Sequence, residues 1–241
     1  MYKGKKIILT ILARGGSKGL PNKNIKPMLG KPLLAYTIGH AKKSKIVDKI
    51  VVSTDDKAIT KVAKDFGVET PFLRPKKFAQ DNSPSADAVL HAIDWFKRDK
   101  GEEFDIVVLL EPTSPLRKRE DVDRAIKLFI NNYKKADTLL CLGAIHSDTE
   151  HPFGAKTVDD GYIKPFISDG ISFYQRQQLP IAYGVYGGIY IAKINRYRET
   201  KSFLTDKTIP YFVERWQEFE IDDYIDWVCV EAVMKEKQNE N

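Results

Sequence analysis

Cysteine and long apolar runs are both scarce in this sequence of 241 residues. The two cysteines, Cys141 and Cys229, stand far apart in apolar surroundings, which predicts a reducing, cytoplasmic setting without a structural disulfide. No apolar run approaches the roughly 20 residues that a membrane-spanning helix needs. The run at 7–13 has the length of a strand and is interrupted by Arg14, so we interpret it as a first strand and not as a signal peptide.

Several familiar chemical signatures are also missing. The four histidines have no metal-ligand spacing, and no serine lies in a nucleophile elbow, which disfavours hydrolase chemistry. Neither the P-loop pattern nor Gly-x-Gly-x-x-Gly occurs. Because there is no internal repeat and no low-complexity linker, we expect a single domain over residues 1–241.

Positive charge is concentrated near the start of the chain. Residues 1–50 contain twelve Lys or Arg and one acid, whereas the remaining residues contain 27 bases and 32 acids. This asymmetry predicts a localised anion-binding site in the first segment. Lys42, Lys43 and Lys45 are interpreted as solvated residues at a helix end, where cations complement the helix dipole.

Apolar strand-like runs alternate with helical periodicity along most of the chain. This alternation predicts an α/β, Rossmann-like fold of three layers with a mostly parallel sheet. Residues 146–184 are rich in Gly, Pro, Asp and aromatics, which favours an inserted irregular or β-rich lobe for dimerisation. The predicted strands are 7–13, 49–54, 68–73, 104–110, 138–145, 186–192 and 210–213. The predicted helices begin near 32, 55, 84, 122 and 223.

Three local features are specific enough to test. Asp55 is predicted to cap the second helix, and Ser83 to cap the third, with Pro84 as its first residue. For the last helix, we expect the apolar face to contain Ile225, Val228 and Ala232.

A glycine-rich, cationic loop follows the first strand. It carries Arg14, Ser17, Lys18 and Lys23 among three glycines, which allow a close approach to a polyphosphate. A generic loop of this kind is a weak signal. Its place directly after a strand favours function, because ligands in open α/β sheets lie beyond the strand carboxyl ends.

Acidic residues cluster near the C-terminal end. Glu220 and Asp222 stand two positions apart, so extended backbone would point both carboxylates to one side. Such a pair suits Mg²⁺, which prefers carboxylate, water and phosphate oxygens. Asp223 and Asp226 are instead expected to stabilise the start of the following helix.

A second polar loop, Glu111 to Arg117, follows the apolar run at 104–110. Two prolines fix its backbone, and its position at a strand end favours a ligand-binding role over a simple turn. Arg176 lies in a separate block, Arg-Gln-Gln-Leu-Pro. A lone arginine there indicates a binding role only if the substrate carries a carboxylate, which guanidinium binds bidentately.

Taken together, six blocks of sequence resemble the acylneuraminate cytidylyltransferases, also called CMP-sialic acid synthetases. They occur in order over nearly the whole chain, and the first and fifth are specific to this family group. The blocks are Ala-Arg-Gly-Gly-Ser-Lys-Gly at 13–19, Lys-Asn at 23–24, Val-Ser-Thr-Asp at 52–55, Leu-Arg-Pro at 73–75, Pro-Thr-Ser-Pro-Leu-Arg at 112–117 and Arg-Gln-Gln-Leu-Pro at 176–180.

The resemblance implies a homodimer with a swapped-in lobe. It also implies Mg²⁺-dependent transfer of CMP from CTP to the anomeric hydroxyl of a nonulosonic, sialic-acid-like sugar, with release of pyrophosphate. The partners would be CTP and an acidic sugar, with neither nucleic acid nor membrane involved.

Matching motifs residue by residue assigns roles within such a site. The catalytic candidates are Asp222, Arg14, Lys18 and Lys23. Asp222 would bind the metal, with Glu220 where the family usually has aspartate. The nucleotide-binding candidates are Ala13, Arg14, Gly15, Ser17, Lys18, Lys23, Asn24, Arg74 and Ser85. The sugar-binding candidates are Glu111, Thr113, Lys156, Arg176 and Tyr186.

The sequence departs from the family on the sugar side. Glu111 stands where relatives have glutamine, and 184–188 reads Gly-Val-Tyr-Gly-Gly where they have Arg-Pro-Asn-Gly-Ala. Losing an amide, an arginine and an asparagine predicts an acceptor other than N-acetylneuraminate.

Two alternatives remain open at this stage. One is a nucleotidyltransferase of the same fold that uses another nucleotide or acceptor. The other is a non-catalytic, basic nucleotide- or nucleic-acid-binding module. The second alternative lacks the aromatic residues between basic ones on which single-stranded nucleic acids stack.

Overall fold

The computed structural model describes residues 1–146, 151–167 and 179–239 of the chain. Strands and helices alternate through most of it. The strands are β1 (Ile7–Leu12), β2 (Pro27–Met28), β3 (Lys31–Pro32), β4 (Lys49–Ser53), β5 (Ile106–Leu110), β6 (Thr138–Ala144), β7 (Lys156–Asp159), β8 (Tyr162–Pro165), β9 (Tyr183–Lys193) and β10 (Thr208–Phe212). The helices are α1 (Leu33–Lys43), α2 (Lys57–Asp65), α3 (Ser85–Lys100), α4 (Asp121–Asn131), α5 (Ile194–Thr200) and α6 (Tyr224–Asn239).

Six strands form the central sheet, in the order β10-β6-β9-β5-β1-β4. β1 pairs in parallel with both β4 and β5, and β10 pairs in parallel with β6. β9 alone among these six runs antiparallel, between β5 and β6. The prediction of a mostly parallel α/β sheet is therefore confirmed.

Alternating side chains of the central strands bury both faces of the sheet. Ile7, Leu9 and Ile11 pack in the cluster that includes residues of α1, α2 and α4. Ile8 packs on the other face, with residues of α3 and α5. Two apolar faces, each covered by helices, explain why β1 and β5 read as continuous apolar runs.

A third apolar cluster lies apart from these two layers. Trp227, Val230 and Met234 of α6 pack against Leu20 and Met28 from the segment after β1, and against Leu116 and Ile221. All of these side chains are less than a tenth exposed. The cluster therefore joins the N-terminal loop, the loop after β5 and the C-terminal helix.

The predicted apolar face of α6 was wrong. Ile225 and Val228 are 67% and 47% exposed, and Ala232 is also exposed. The helix carries two apolar stripes with the same i, i+3, i+7 spacing, so periodicity alone does not choose between them. The stripe with Trp227 and Met234 buries more apolar area, and it is the one that packs inward.

Three further local predictions were wrong. Asp56, and not Asp55, caps α2 by accepting the N–H groups of Ala58 and Ile59. The Ser83 hydroxyl bonds to the carbonyl of Lys77 instead of capping α3. The segment 68–73 forms a single bridge, between Glu69 and Val51, because Pro71 has no N–H to continue the ladder.

The described part of the predicted lobe is a small hairpin. β7 and β8 pair in antiparallel register, and all eight of their residues are exposed. Asp160 and Gly161 join them with positive φ values of 51° and 79°, the backbone that favours Asp-Gly in tight hairpins. Among the described helices, none combines the length and apolar character required to cross a membrane.

Candidate active site

Three parallel strands end at the same edge of the sheet. β4, β1 and β5 are neighbours there, so the segments that follow Ser53, Leu12 and Leu110 lie together. A cavity of about 590 Å³ opens at this edge, within the size range of small-molecule sites. It is lined by Leu12, Arg14, Ser17, Lys18, Gly19, Lys23, Asn24, Arg74, Phe78, Ala79, Gln80, Asp81, Ser83, Ser85, Glu111, Pro112, Thr113 and Asp222.

Most of the residues predicted from sequence motifs line this cavity. Ten of them meet there: Arg14, Ser17, Lys18, Lys23, Asn24, Arg74, Ser85, Glu111, Thr113 and Asp222. Ala13 is buried in the core and Tyr186 is 3% exposed within it. Lys156 is an exposed residue at the start of the hairpin. Arg176 lies outside the described residues.

The loop after β1 is fixed by hydrogen bonds to its neighbours. Gly15 donates its N–H to Asp55 Oδ1 at 3.1 Å. The Asn24 side chain is buried and donates to the Arg14 carbonyl at 3.0 Å. Asp55, which was predicted to cap a helix, thus holds the start of the loop.

The three cations between β1 and β2 that line the cavity each face an acid. Arg14 Nη1 lies 2.7 Å from Asp81 Oδ1, and Lys18 Nζ lies 2.6 Å from Asp81 Oδ2. Lys23 Nζ lies 3.4 Å from Asp222 Oδ1 and donates to the Ile221 carbonyl at 2.5 Å. The hydrogen bond from Lys18 holds the pKa of Asp81 below its usual range.

Asp222 is more exposed than Asp81, the other aspartate that lines the cavity, with 85% of its side chain accessible. Its neighbours Asp223 and Asp226 are engaged as predicted at the start of α6. Asp226 Oδ2 accepts the N–H of Asp222 and of Asp223, and Asp223 Oδ1 accepts the N–H of Asp226. These bonds leave the Asp222 carboxylate facing the cavity.

Glu220 and Glu111 approach each other deeper in the structure. Glu220 Oε1 accepts hydrogen bonds from the Ser114 hydroxyl at 3.1 Å and from the Gly187 N–H. A Cβ at Gly187 would overlap both Glu111 Oε2 and Glu220 Oε1, so a side chain at this position would displace the two carboxylates. Burial raises the pKa of Glu220, and burial together with the Glu220 carboxylate raises the pKa of Glu111 to about 7.

Glu220 and Asp222 therefore contact different groups, although we expected them to act as a pair. The segment that contains them is not part of a strand, and Glu220 bonds inward to Ser114 and Gly187 while Asp222 lies on the exposed side. Within the described ranges, no group of three or more His, Cys, Asp or Glu side chains is arranged to hold a metal ion.

Two buried arginines position the walls of the cavity. Arg74 donates to the Ser53 carbonyl at 3.1 Å and is 6% exposed. Arg117 donates to the carbonyls of Glu111 and Gly188, and to Thr37 Oγ1 at 3.1 Å. The hydrogen bonds of Arg117 tie the loop after β5 to β9 and to α1.

Sequence reasoning missed the segment 78–83, which forms one wall of the cavity and carries Asp81. The position of this segment in the chain could have indicated that it lies at the cavity. This turn-rich stretch precedes α3 and follows Arg74, whose N–H bonds to the carbonyl of Thr54 just beyond β4. The segment 78–83 must therefore pass the same edge of the sheet as the glycine-rich loop after β1.

Gly19 makes a close contact that a side chain would prevent. A Cβ there would overlap the carbonyl oxygen of Asp222, whereas a Cβ at Gly16 in the same loop meets nothing within 4 Å. We expect Gly19→Ala to lower the free energy of unfolding by about 1–3 kcal/mol, because backbone must shift. Gly16→Ala should stay within about 0.5 kcal/mol of wild type. Urea denaturation checks both, and equal stabilities would contradict the contact.

Comparison with known proteins agrees with the motifs. The cytidylyltransferase family model matches residues 8–239. The chain is 34% identical to CMP-N,N'-diacetyllegionaminic acid synthase of Legionella pneumophila, over 97% of this chain and 98% of that protein. It is 30% identical to N-acylneuraminate cytidylyltransferase of Escherichia coli, over 98% of this chain and 54% of that longer protein.

A solved structure shares the fold. It is CMP:2-keto-3-deoxy-manno-octonic acid synthetase complexed with CTP, with a TM-score of 0.69, 18% identity and coverage of 96% of this chain and 99% of that one. The fold, the family model and the full-length relative all agree. The chain therefore belongs to the cytidylyltransferase family, in the branch that contains the CMP-nonulosonate synthetases, as its sequence motifs predicted.

Proposed function

We propose that this protein transfers CMP from CTP to the anomeric hydroxyl of a nonulosonic sugar and releases pyrophosphate. The observation that carries the proposal is the cavity at the strand edge, whose lining brings together Arg14, Lys18, Lys23 and Asp222. The names of the relatives support the choice of CTP and of a sialic-acid-like acceptor.

The cationic residues suit the triphosphate. Arg14, Lys18 and Lys23 lie on one loop, where glycine backbone allows close approach. Guanidinium and ammonium groups bind phosphate oxygens through charge-assisted hydrogen bonds. Asn24, Arg74 and Ser85 line the same cavity, and we assign them to the base and ribose.

The residues present fit a Mg²⁺ ion. Magnesium in phosphate-transfer sites is held by one or two carboxylates together with substrate phosphates. Asp222 offers one exposed carboxylate next to the phosphate-binding lysine, Lys23. Glu220 is the second candidate, although its Oε1 already bonds to Ser114 and Gly187. When bound, the ion would neutralise charge that develops on the phosphate oxygens.

The reaction asks for positioning more than for covalent chemistry. The anomeric oxygen forms a bond to the α-phosphorus while the bond from that phosphorus to the β-phosphate oxygen breaks in line. The hydroxyl proton is lost to solvent, and pyrophosphate leaves. Arg14, Lys18 and Lys23 hold the triphosphate and spread its growing negative charge, which is how phosphate-transfer enzymes obtain most of their rate.

Asp222→Asn tests the metal assignment. It removes the charge that would bind Mg²⁺, so we expect turnover to fall about 10³-fold or more at saturating Mg²⁺, with the fold intact. Asp223→Asn is the matched control, because Asn keeps an acceptor for the Asp226 N–H and the residue serves the helix start. Steady-state kinetics and circular dichroism check both, and near-normal turnover of Asp222→Asn would refute the assignment.

The sugar side of the cavity is proposed to accept a nonulosonic acid other than N-acetylneuraminate. Glu111 and Thr113 line this side. The pKa of Glu111 is raised to about 7, so its carboxyl donates a hydrogen bond only when protonated and otherwise only accepts, whereas the amide of related enzymes always offers both. Lys156 and Arg176 stay sugar-side candidates from the family match, with Arg176 assigned to the sugar carboxylate. Tyr186, which stands where relatives have asparagine, is buried behind this side.

A pyrophosphate-release assay tests nucleotide and acceptor together. We expect release with CTP and Mg²⁺ in the presence of a nonulosonic acid, and much less with ATP, GTP or UTP. A panel of nonulosonic and other α-keto acid sugars identifies the acceptor. Preference for another nucleotide would refute CTP, and salt-dependent RNA binding without pyrophosphate release would favour the nucleic-acid-binding alternative.

We also propose that the protein is a cytoplasmic homodimer joined through the β7–β8 hairpin. Val158, Tyr162, Ile163 and Phe166 are each at least 70% exposed there. An isolated two-stranded hairpin is marginally stable in water, and these apolar side chains need cover. A second copy supplies it. The two free cysteines suit a reducing compartment.

Ile163→Lys tests the dimer. Placing a charge in a buried apolar contact disfavours association, so this variant should sediment as a monomer at concentrations where wild type is a dimer. Leu204→Lys is the control, because Leu204 is 65% exposed outside the hairpin. Analytical ultracentrifugation measures both masses, and a monomeric wild type would rule out the dimer.

A further inference from the structure

We propose that Asp81 is an internal counter-ion, which occupies the positions of phosphate oxygens on Arg14 and Lys18 until a triphosphate displaces it. The inference rests on the proposed function, since it takes these two cations as triphosphate ligands. It assigns Asp81 a role in setting affinity for the phosphate chain.

The geometry of Asp81 resembles that of a bound anion. Its two carboxylate oxygens are divided between the two cations, with Oδ1 at 2.7 Å from Arg14 Nη1 and Oδ2 at 2.6 Å from Lys18 Nζ. Phosphate oxygens take the same donors at similar distances. Asp81 also lines the cavity, so it lies where the ligand must enter and not on a remote surface.

Binding of a phosphate to both cations therefore requires an exchange. A phosphate oxygen placed on Arg14 and Lys18 would meet the Asp81 carboxylate, and two anions in contact repel each other. The acid must move away as the triphosphate arrives. The nucleotide-free site thus avoids unbalanced positive charge, at the expense of some affinity.

The location of Asp81 allows it to leave at low cost. Its side chain is 44% exposed and that of Lys18 is 79% exposed, and ion pairs at the surface contribute little to stability. It lies in a turn-rich segment just before α3, where Ser83 bonds to the backbone of Lys77 and Gln80. Lys23 differs, because its side chain is 12% exposed and its ammonium also donates to a backbone carbonyl.

The same exchange operates when pyrophosphate leaves. As the product moves off Arg14 and Lys18, the Asp81 carboxylate can return to both of them. The two cations are then never without an acidic partner, which favours departure of a multiply charged product.

The direct test is binding of inorganic pyrophosphate without Mg²⁺, measured by isothermal titration calorimetry. Asp81→Asn keeps the shape of the side chain and removes its charge. We expect it to bind pyrophosphate about fivefold more tightly than wild type, the size of effect that an exposed ion pair gives. Asp65→Asn is the matched control, because Asp65 forms an exposed pair with Lys61 elsewhere, and its affinity should equal that of wild type.

A double-mutant cycle separates direct competition from a general change of charge. In a Lys18→Met background, the gain from Asp81→Asn should shrink, because one of the two contacts is already gone. An equal gain in both backgrounds would overturn the inference, as would unchanged or weaker binding by Asp81→Asn alone. Failure of wild type to bind pyrophosphate both without and with Mg²⁺ would instead overturn the proposed function together with this inference.

Discussion

The parallel pairing of β1 with β4 on one side and β5 on the other is the constraint on which the site depends. Parallel strands end at a common edge, so three polar loops that are distant in sequence must meet there. The pairing does not by itself fix the loops. That is done by the apolar cluster in which Leu20, Leu116 and Trp227 pack together, and by the Arg117 clamp on the loop after β5.

The cavity has two electrostatic characters. On one side, Asp81 balances Arg14 and the exposed Lys18, and Asp222 balances the largely buried Lys23. On the other side, Glu111 lines the cavity with Glu220 close to it, and burial together with the Glu220 carboxylate raises the pKa of Glu111 to about 7. Burying two like charges costs stability. The fold tolerates this cost on the side of the cavity that we assign to the acceptor sugar. Perturbed pKa values concentrate at such functional sites in enzymes.

The sequence predicted the fold and most of the cavity because both follow from local patterns. Apolar runs such as 104–110 specify buried strands, and polar motifs directly after them specify the ligand edge. Asp81 was not predictable in this way, since its partners Arg14 and Lys18 lie more than sixty residues earlier. The face of α6 failed for another reason. Its two apolar stripes have equal spacing, so the choice depends on which one finds Met28 and Leu116 to pack against. Glu220 was paired with Asp222 on the assumption of a strand, but the segment is not part of one, and Glu220 Oε1 bonds to Ser114 and Gly187 instead.

The contact between Lys23 and the carbonyl of Ile221 has a consequence for the order in which the protein matures. It joins residues 198 positions apart in the chain, and the apolar support of the same loop comes from α6, the last helix in the described chain. During synthesis the N-terminal part of a chain emerges first. In a nascent chain, the glycine-rich loop after β1 therefore lacks both its hydrogen-bond partner, Ile221, and the apolar packing of α6. We infer that the site is completed only when α6 has left the ribosome.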